Sequence, residues 1–193
     1  GLGLTGLGAG CSCVEKRRSA DLRQRAYRAG EPALSIIGFG GIVVMNAEQE
    51  HAKRVVAEAV ARGVNYFDVA PSYGNAEDRL GPALEPFRDE VFLACKTTCR
   101  DREGAERELH SSLAKMRTDR FDLYQLHALS KMEELDQVFA SGGAMETFVQ
   151  ARERGKIRHI GFSAHSAEVA LAALDRFEFD SVLFPFNFVC WHE

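Results

Sequence analysis

The chain has 193 residues, of which 46% are hydrophobic and 27% are charged. This composition is that of an ordinary globular protein with one sizeable core. The formal net charge is −4 and no basic run with interleaved aromatic residues occurs, so nucleic-acid binding is not expected. No apolar stretch approaches the ~20 residues that a membrane-spanning helix needs.

The cysteines do not indicate a disulfide framework. The chain has five, an odd number, and they are scattered: Cys11, Cys13, Cys95, Cys99 and Cys190. Cys95 lies in a predicted core strand, where a cysteine acts as a small buried apolar residue. The Cys11-Ser-Cys13 pair could bind a metal or carry a lipid, but we favour neither a metal site nor a catalytic one.

Both ends of the sequence have the look of a cut. The chain starts at Gly1 without a methionine and stops at Glu193, where a loop after a strand is expected. Residues 1–31 are predicted to be a leader or linker, with a short helix or linker over 14–31, and residues 32–193 a partial barrel. Residues 1–13 could be the end of an export signal with a processing or lipidation point, or a disordered leader. We therefore expect a cytoplasmic protein, with an exported or lipid-anchored form as the alternative.

The folded part is predicted to begin as a strand and a helix. An apolar run from Leu34 ends in glycines, which is typical of a strand followed by a tight loop. Asn46 is predicted to cap the next helix, and Gln49 completes a capping-box pattern. Gly63 is predicted to end that helix. Its apolar face has helical spacing and contains Ala52, Val55, Val56, Ala59 and Val60.

Strands and helices then alternate. Strands are predicted over 64–68, 91–96, 121–127 and 180–186, and a turn and strand over 155–163. Helices are predicted over 76–86, broken by Pro82 or Pro86, and over 102–117, 132–139, 143–154 and 167–176. Such alternation predicts an α/β fold with a parallel sheet. A (β/α)8 TIM barrel is favoured over an open doubly wound sheet, with about six of the eight βα units present.

Ionisable residues at successive strand ends support the barrel and suggest a site. Asp68, Lys96 and His127 each end a predicted strand, and Tyr73 lies in the loop after Asp68. In a barrel of parallel strands these ends meet at one rim. The first strand–helix junction also lacks the glycine fingerprint of dinucleotide-binding open sheets.

These four side chains suit the reduction of a carbonyl group. A phenol is a poor acid at neutral pH, but a neighbouring ammonium lowers its pKa, and Lys96 could supply that charge. Asp68 would hold Lys96, and His127 would hydrogen-bond the substrate oxygen or relay a proton. No side chain delivers hydride, so a nicotinamide cofactor is implied. Taken singly, each residue could instead be a loop cap, a surface aromatic, a solvated strand end or a core histidine.

Four motifs resemble those of the aldo-keto reductase family. They are Asp68-Val-Ala-Pro-Ser-Tyr-Gly-Asn-Ala-Glu77, Lys96 at a strand end, Asp122-Leu-Tyr-Gln-Leu-His127 and Gly155-Lys-Ile-Arg-His-Ile-Gly-Phe-Ser163. The match covers roughly residues 34–190. The resemblance implies a barrel that uses NADPH, less often NADH, to reduce a small aldehyde or ketone. It assigns Tyr73 as general acid, Lys96 and Asp68 as its tuning pair, and His127 as the residue that orients the carbonyl.

The resemblance also implies a cofactor contact for Ser163, on the nicotinamide amide, and we add Asp68 as a second cofactor-binding residue. The family usually has Asn after that Ser and Gln on the sixth strand, where this chain has Ala164 and Leu183. These two departures suggest one alternative, a cofactor-sensing partner subunit without catalysis. The Gly-Phe-Ser-x-His variant at 161–165 resembles a branch with iron–sulfur members, which gives a second alternative, an iron–sulfur-linked electron-transfer member. The chain by itself is expected to be inactive. The sequence does not indicate an oligomeric state.

Overall fold

The computed structural model describes residues 22–186. The possible export signal at 1–13, the Cys11-Ser-Cys13 pair and Cys190 lie outside the described residues, so the predictions about them remain predictions. Within residues 22–186, no helix is both long and apolar enough to cross a membrane.

A small hairpin precedes the main sheet. Strands β1 (Gln24–Ala26) and β2 (Ala33–Ser35) pair antiparallel. The prediction of a short helix or linker is wrong at β1, because these residues pair with β2. Tyr27, at the turn, packs edge-to-face against Phe92 and His159 with ring centroids 5.3 Å apart in each case. The hairpin therefore covers the amino-terminal end of the sheet, away from the rim where Asp68 and Lys96 lie.

The main sheet confirms the predicted parallel α/β architecture. Its six strands are all parallel and lie side by side in chain order. They are β3 (Phe39–Gly40), β4 (Tyr66–Asp68), β5 (Phe92–Thr97), β6 (Phe121–Leu129), β7 (Ile157–Ala164) and β8 (Ser181–Leu183). Consecutive order in one parallel sheet is the arrangement of a (β/α)8 barrel, and it excludes the doubly wound alternative, whose strand order reverses.

Helices connect the strands as the alternation predicted. They are α1 (Gln49–Ala61), α2 (Ala76–Leu84), α3 (Arg102–Lys115), α4 (Met132–Phe139), α5 (Ala144–Glu153) and α6 (Ala167–Arg176), with 3-10 helices at Gly41–Val44 and Glu85–Glu90. The predicted core face of α3 is buried at Ala105, Leu109 and Leu113. Cys95 is fully buried in β5, as predicted.

The predicted cap of the first helix is wrong, and the break predicted in the second helix at Pro82 or Pro86 falls before Pro86. The N-cap of α1 is Glu48 and not Asn46. Asn46 has a positive φ of 60°, which asparagine tolerates well, and its backbone N–H donates to Asn75 Oδ1 at 2.7 Å. Pro82 does not break α2 but lies within it. The helix ends at Leu84, and Pro86 lies in the first turn of the following 3-10 helix, where its fixed φ is compatible with a helix start.

Gly81 allows the close approach of α2 and α3. A Cβ atom at this position would overlap the carbonyl oxygen of Lys115 and lie 2.7 Å from Met116 Cα. We expect Gly81→Ala to lower the free energy of unfolding by about 1–3 kcal/mol, because the obstructing atoms are backbone and cannot rotate away. Chemical denaturation measures the loss. Gly40→Ala is the control, since its Cβ would be 3.9 Å from the nearest atom, Ile42 Cγ2; equal losses in both variants would contradict the packing argument.

Candidate active site

The carboxyl ends of four adjacent strands bring the predicted site residues to one rim of the sheet. Asp68 ends β4, Lys96 lies one residue before the end of β5, His127 lies near the end of β6, and Ser163 near the end of β7. The register pairs Asp68 with Ala94 and Lys96 with Gln125, so Lys96 lies two residues beyond the level of Asp68, and His127 two residues beyond the level of Lys96. Tyr73 follows in the loop after β4, three residues before α2 begins.

Lys96 joins Asp68 to Tyr73. Its Nζ donates to Asp68 Oδ1 at 2.5 Å and to Tyr73 Oη at 3.0 Å. The Lys96 side chain is 1% exposed and that of Asp68 is 14% exposed, so the ion pair is shielded from water. Burial raises the pKa of Asp68, and the Lys96 ammonium opposes that rise. The buried ammonium thus has two partners, a carboxylate and a phenol.

His127 closes the site on the side of Tyr73. The two rings meet edge to face, with centroids 5.8 Å apart and an interplanar angle of 87°. Ser72 Oγ lies 3.2 Å from His127 Nδ1. The pKa of His127 is lowered to about 4, first by burial and then by the positive charges of Lys96 and Arg100. With this pKa the imidazole is neutral at neutral pH.

The backbone beside His127 is held in an uncommon conformation. Ala128 has a positive φ of 53°, and the pairing of β6 with β7 shifts between Leu126 and Leu129. The Ala128 N–H donates to Ser163 Oγ at 2.7 Å, and Arg100 Nη2 donates to the His127 carbonyl at 2.7 Å. A non-glycine residue at such a φ is unusual and needs support from its surroundings. Ser163 and Arg100 supply that support and fix where His127 lies.

A cavity of about 300 Å³ opens over these groups. Its lining includes Tyr73, Lys96, His127 and Ser163 from the predicted site, together with Ala164, His165, Leu183, Phe184 and Pro185. Other hollows lie elsewhere on the described surface, between helices or at the amino-terminal end of the sheet. The cavity at the rim is the one where a buried cation, a phenol and an imidazole converge.

Sequence reasoning missed two residues of this site. Arg100 lies four positions after Lys96 in a loop, and no pattern in the sequence pointed to its contact with His127. Ser72 directly precedes Tyr73, so its place inside a candidate motif was a usable signal. Glu77, the last residue of that motif, lies outside the cavity: it is 1% exposed and its Oε2 pairs with Lys115 Nζ at 3.3 Å. It connects α2 to α3.

In residues 22–186 there is no group of three or more His, Cys, Asp or Glu side chains that could hold a metal ion.

Comparison with known proteins identifies the family. The model of the Aldo/keto reductase family matches residues 36–192. The chain belongs to the aldo/keto reductase family. The matched range contains Asp68, Tyr73, Lys96, His127 and Ser163, and the fold is that family's (β/α)8 barrel, of which six strands lie in residues 22–186.

Curated relatives carry oxidoreductase names. The chain is 26% identical over 180 residues to Uncharacterized oxidoreductase YqkF of Bacillus subtilis, covering 86% of this chain and 56% of the relative. It is 28% identical over 169 residues to Aldo-keto reductase YhdN of the same organism, covering 80% of this chain and 48% of the relative. The aldo/keto reductase chain thus spans about half the length of the curated relatives it matches.

Solved structures of aldo-keto reductases have the same fold. One from Pseudomonas aeruginosa superimposes with a TM-score of 0.78 at 24% identity, covering 90% of this chain and 72% of that one. Another, from Klebsiella pneumoniae in complex with NADP and acetate, has a TM-score of 0.62 at 27% identity, covering 75% of this chain and 50% of that one.

Proposed function

We propose that the protein reduces the carbonyl group of a small aldehyde or ketone with NADPH as the hydride source, NADH being the less expected donor. The observation that carries this proposal is the position of Lys96 Nζ, hydrogen-bonded to both Asp68 Oδ1 and Tyr73 Oη in a shielded site. A buried ammonium against a phenol stabilises the phenolate that remains after proton transfer. A tyrosine that acts as a general acid needs this property.

Tyr73 is the proton donor in this proposal. As hydride reaches the carbonyl carbon, negative charge grows on the carbonyl oxygen, and the Tyr73 hydroxyl gives its proton to that oxygen. Lys96 offsets the charge left on the phenolate. Asp68 keeps Lys96 protonated, because burial without a counter-charge disfavours an ammonium.

His127 orients the substrate. A neutral imidazole with its N–H toward the cavity donates a hydrogen bond to the carbonyl oxygen that Tyr73 protonates. The edge-to-face contact of the two rings keeps both groups next to that oxygen. The lowered pKa of His127 supports donation without proton transfer. Tyr73 is therefore the single proton source that the proposal needs.

Two polar groups at the rim fit a nicotinamide: Ser163 lines the cavity, and Asp68 adjoins it through Lys96. Ser163 Oγ already accepts a hydrogen bond from Ala128, so its own O–H proton is available for an amide oxygen. Asp68 Oδ2 is buried and has no hydrogen-bond partner among the described residues, which leaves an acceptor for a cofactor hydroxyl or amide. Ser163 and Asp68 would hold the nicotinamide end, and the bound cofactor would supply the hydride.

Steady-state kinetics of the full-length protein test the proposal. We expect the absorbance of NADPH at 340 nm to fall only when an aldehyde or ketone is added, with one alcohol molecule formed for each NADPH oxidised. Product analysis checks this ratio. NADPH oxidation without a matching alcohol would contradict carbonyl reduction.

The pKa of His127 gives a second expected result. Because burial, Lys96 and Arg100 lower it to about 4, an NMR titration of the ring protons should place its midpoint near pH 4. The folded pKa lies below the ordinary value of about 6.5, so the unfolded state binds a proton at a higher pH than the folded state. The free energy of unfolding therefore falls as the pH falls from 6.5 toward 4. A midpoint near pH 6.5 in the folded protein would contradict the neutral, donor role.

A second candidate function has an observation in its favour. Ala164 and Leu183, which replace the amide side chains usual in the family, both line the cavity. Fewer amide contacts would weaken the hold on the nicotinamide, which suits a cofactor-sensing partner subunit with slow turnover. Saturable NADPH binding in calorimetry combined with no multiple-turnover reduction would favour this candidate over the enzyme. The cytoplasmic location also stays a proposal.

A further inference from the structure

Ser72 has a contact with the active-site imidazole that the family resemblance did not assign. It lies in the loop after β4, next to Tyr73, and its Oγ is 3.2 Å from His127 Nδ1. Within residues 22–186, Ser72 is the side chain that forms a hydrogen bond with the His127 ring. Neither Lys96 nor Asp68 takes part in it; these two residues form their own pair.

The contact constrains which ring nitrogen carries the proton. A neutral imidazole has one N–H and one lone pair, and the hydrogen bond at one nitrogen decides the state of the other. A serine hydroxyl that donates to Nδ1 requires the proton on Nε2. A serine that accepts from Nδ1–H would leave a lone pair on Nε2.

Only one of these states suits the cavity. Nδ1 faces Ser72, so Nε2 is the nitrogen left for a ligand in the cavity that His127 lines. A lone pair on Nε2 would repel a carbonyl oxygen, whereas Nε2–H would bind it. Ser72 is exposed, so water can satisfy its oxygen while its proton goes to Nδ1.

The rest of the ring environment makes a hydrogen bond at Nδ1 effective. Arg100 holds the His127 carbonyl at 2.7 Å, and Tyr73 packs against the ring at an angle of 87°. With the main chain and the ring plane both restrained, a change of hydrogen bond at Nδ1 changes the tautomer and not the position of the ring.

We propose that Ser72 is a positioning residue that donates its hydroxyl proton to His127 Nδ1 and so holds the imidazole as the Nε2–H tautomer. The expected catalytic consequence rests on the proposed carbonyl reduction, in which His127 donates to the substrate oxygen. The choice of the Nε2–H tautomer rests on that function as well, whereas the contact between Ser72 and His127 does not.

The tautomer is measured by NMR on the full-length protein labelled with 15N-histidine, at a pH where His127 is neutral. We expect the Nε2–H form in the wild-type protein and in Ser72→Thr, and a marked gain of the Nδ1–H form in Ser72→Ala. Ser111→Ala, an exposed serine of α3, is the matched control and should leave the spectrum of His127 unchanged. A dominant Nδ1–H form in the wild type, or no change in Ser72→Ala, would overturn the proposal.

Kinetics then separate positioning from a structural effect. Loss of one hydrogen bond should lower kcat for carbonyl reduction about two- to tenfold in Ser72→Ala, with the KM for NADPH unchanged. Ser72→Thr should restore kcat and Ser111→Ala should not lower it. If the wild type reduces no carbonyl substrate, the proposed function fails, while the NMR result still decides the contact between Ser72 and His127.

Discussion

Tyr73→Phe in the full-length protein should lower kcat for NADPH-dependent carbonyl reduction by about 10²- to 10⁴-fold, the range typical of losing a general acid. The substitution removes one oxygen, the one that lies 3.0 Å from Lys96 Nζ, and keeps the ring that packs against His127. NADPH binding, measured by quenching of protein fluorescence, should change little, because Ser163 and Asp68 are proposed to hold the cofactor.

Tyr66→Phe is the matched control for that loss. Tyr66 begins β4 and stacks on Phe92 with centroids 5.7 Å apart, on the side of the hairpin. Removing its hydroxyl should leave kcat within about twofold, since Tyr66 does not line the cavity and its hydroxyl contacts none of the proposed reacting groups. Turnover by Tyr73→Phe at the wild-type rate would disprove the role of Tyr73 as proton donor.

Lys96→Met should have the largest effect on stability. It removes the ammonium that is 1% exposed and leaves Asp68 as a buried carboxylate without a counter-charge. Breaking one partner of a buried ion pair costs about 3–5 kcal/mol of unfolding free energy. Chemical denaturation measures that cost, and kcat should fall as well because Tyr73 loses its neighbouring cation.

The double variant Asp68→Asn with Lys96→Met separates the two effects. Removing both charges should recover all but about 1–2 kcal/mol of the stability, because no unpaired charge stays buried. It should not recover kcat, because the phenolate of Tyr73 still has no cation beside it. A double variant that regains activity together with stability would mean that Lys96 acts through folding alone.

The pH dependence of Lys96→Met has a definite sign. Burial raises the pKa of Asp68, and without Lys96 the ammonium no longer opposes that rise. The folded state then binds the proton more tightly than the unfolded state, so stability is lost as the pH rises between the two pKa values. The stability deficit of Lys96→Met should therefore shrink in acid. A deficit that grows as the pH falls would contradict the buried-carboxylate explanation.

The pattern of apolar runs was enough to predict most of the fold. Each predicted βα unit after the first appears in the structure, and the consecutive strand order confirms the barrel over the open sheet. The first predicted strand, the apolar run from Leu34, is divided: its start belongs to β2 of the hairpin, and only Phe39–Gly40 form the barrel strand β3. The errors concern local hydrogen bonds that have no periodicity. Asn46 is a residue type common at helix caps, but here it has a left-handed backbone conformation. Its N–H donates a hydrogen bond to Asn75, 29 residues away. Strand β1 of the hairpin was not predicted, because an exposed strand of three residues has no alternation of buried and exposed positions.

What the sequence determined by itself is the choice of side chains at the ends of the strands. Asp68, Tyr73, Lys96 and His127 are ionisable or polar residues where apolar strands stop, and parallel strands must bring such ends to one edge. The alternation of strands and helices sets that geometry, because the chain must cross back through a helix after each strand before the next parallel strand can begin.

What only the tertiary structure decided is how those side chains meet. The bond from Lys96 to both Asp68 and Tyr73 depends on the register of β4 with β5. The contacts of Arg100 and Ser163 around His127 depend on the shifted pairing of β6 with β7 and on the positive φ of Ala128. Hydrogen bonds are short and directional, so they follow from distances across strands, which the order of residues along the chain does not contain.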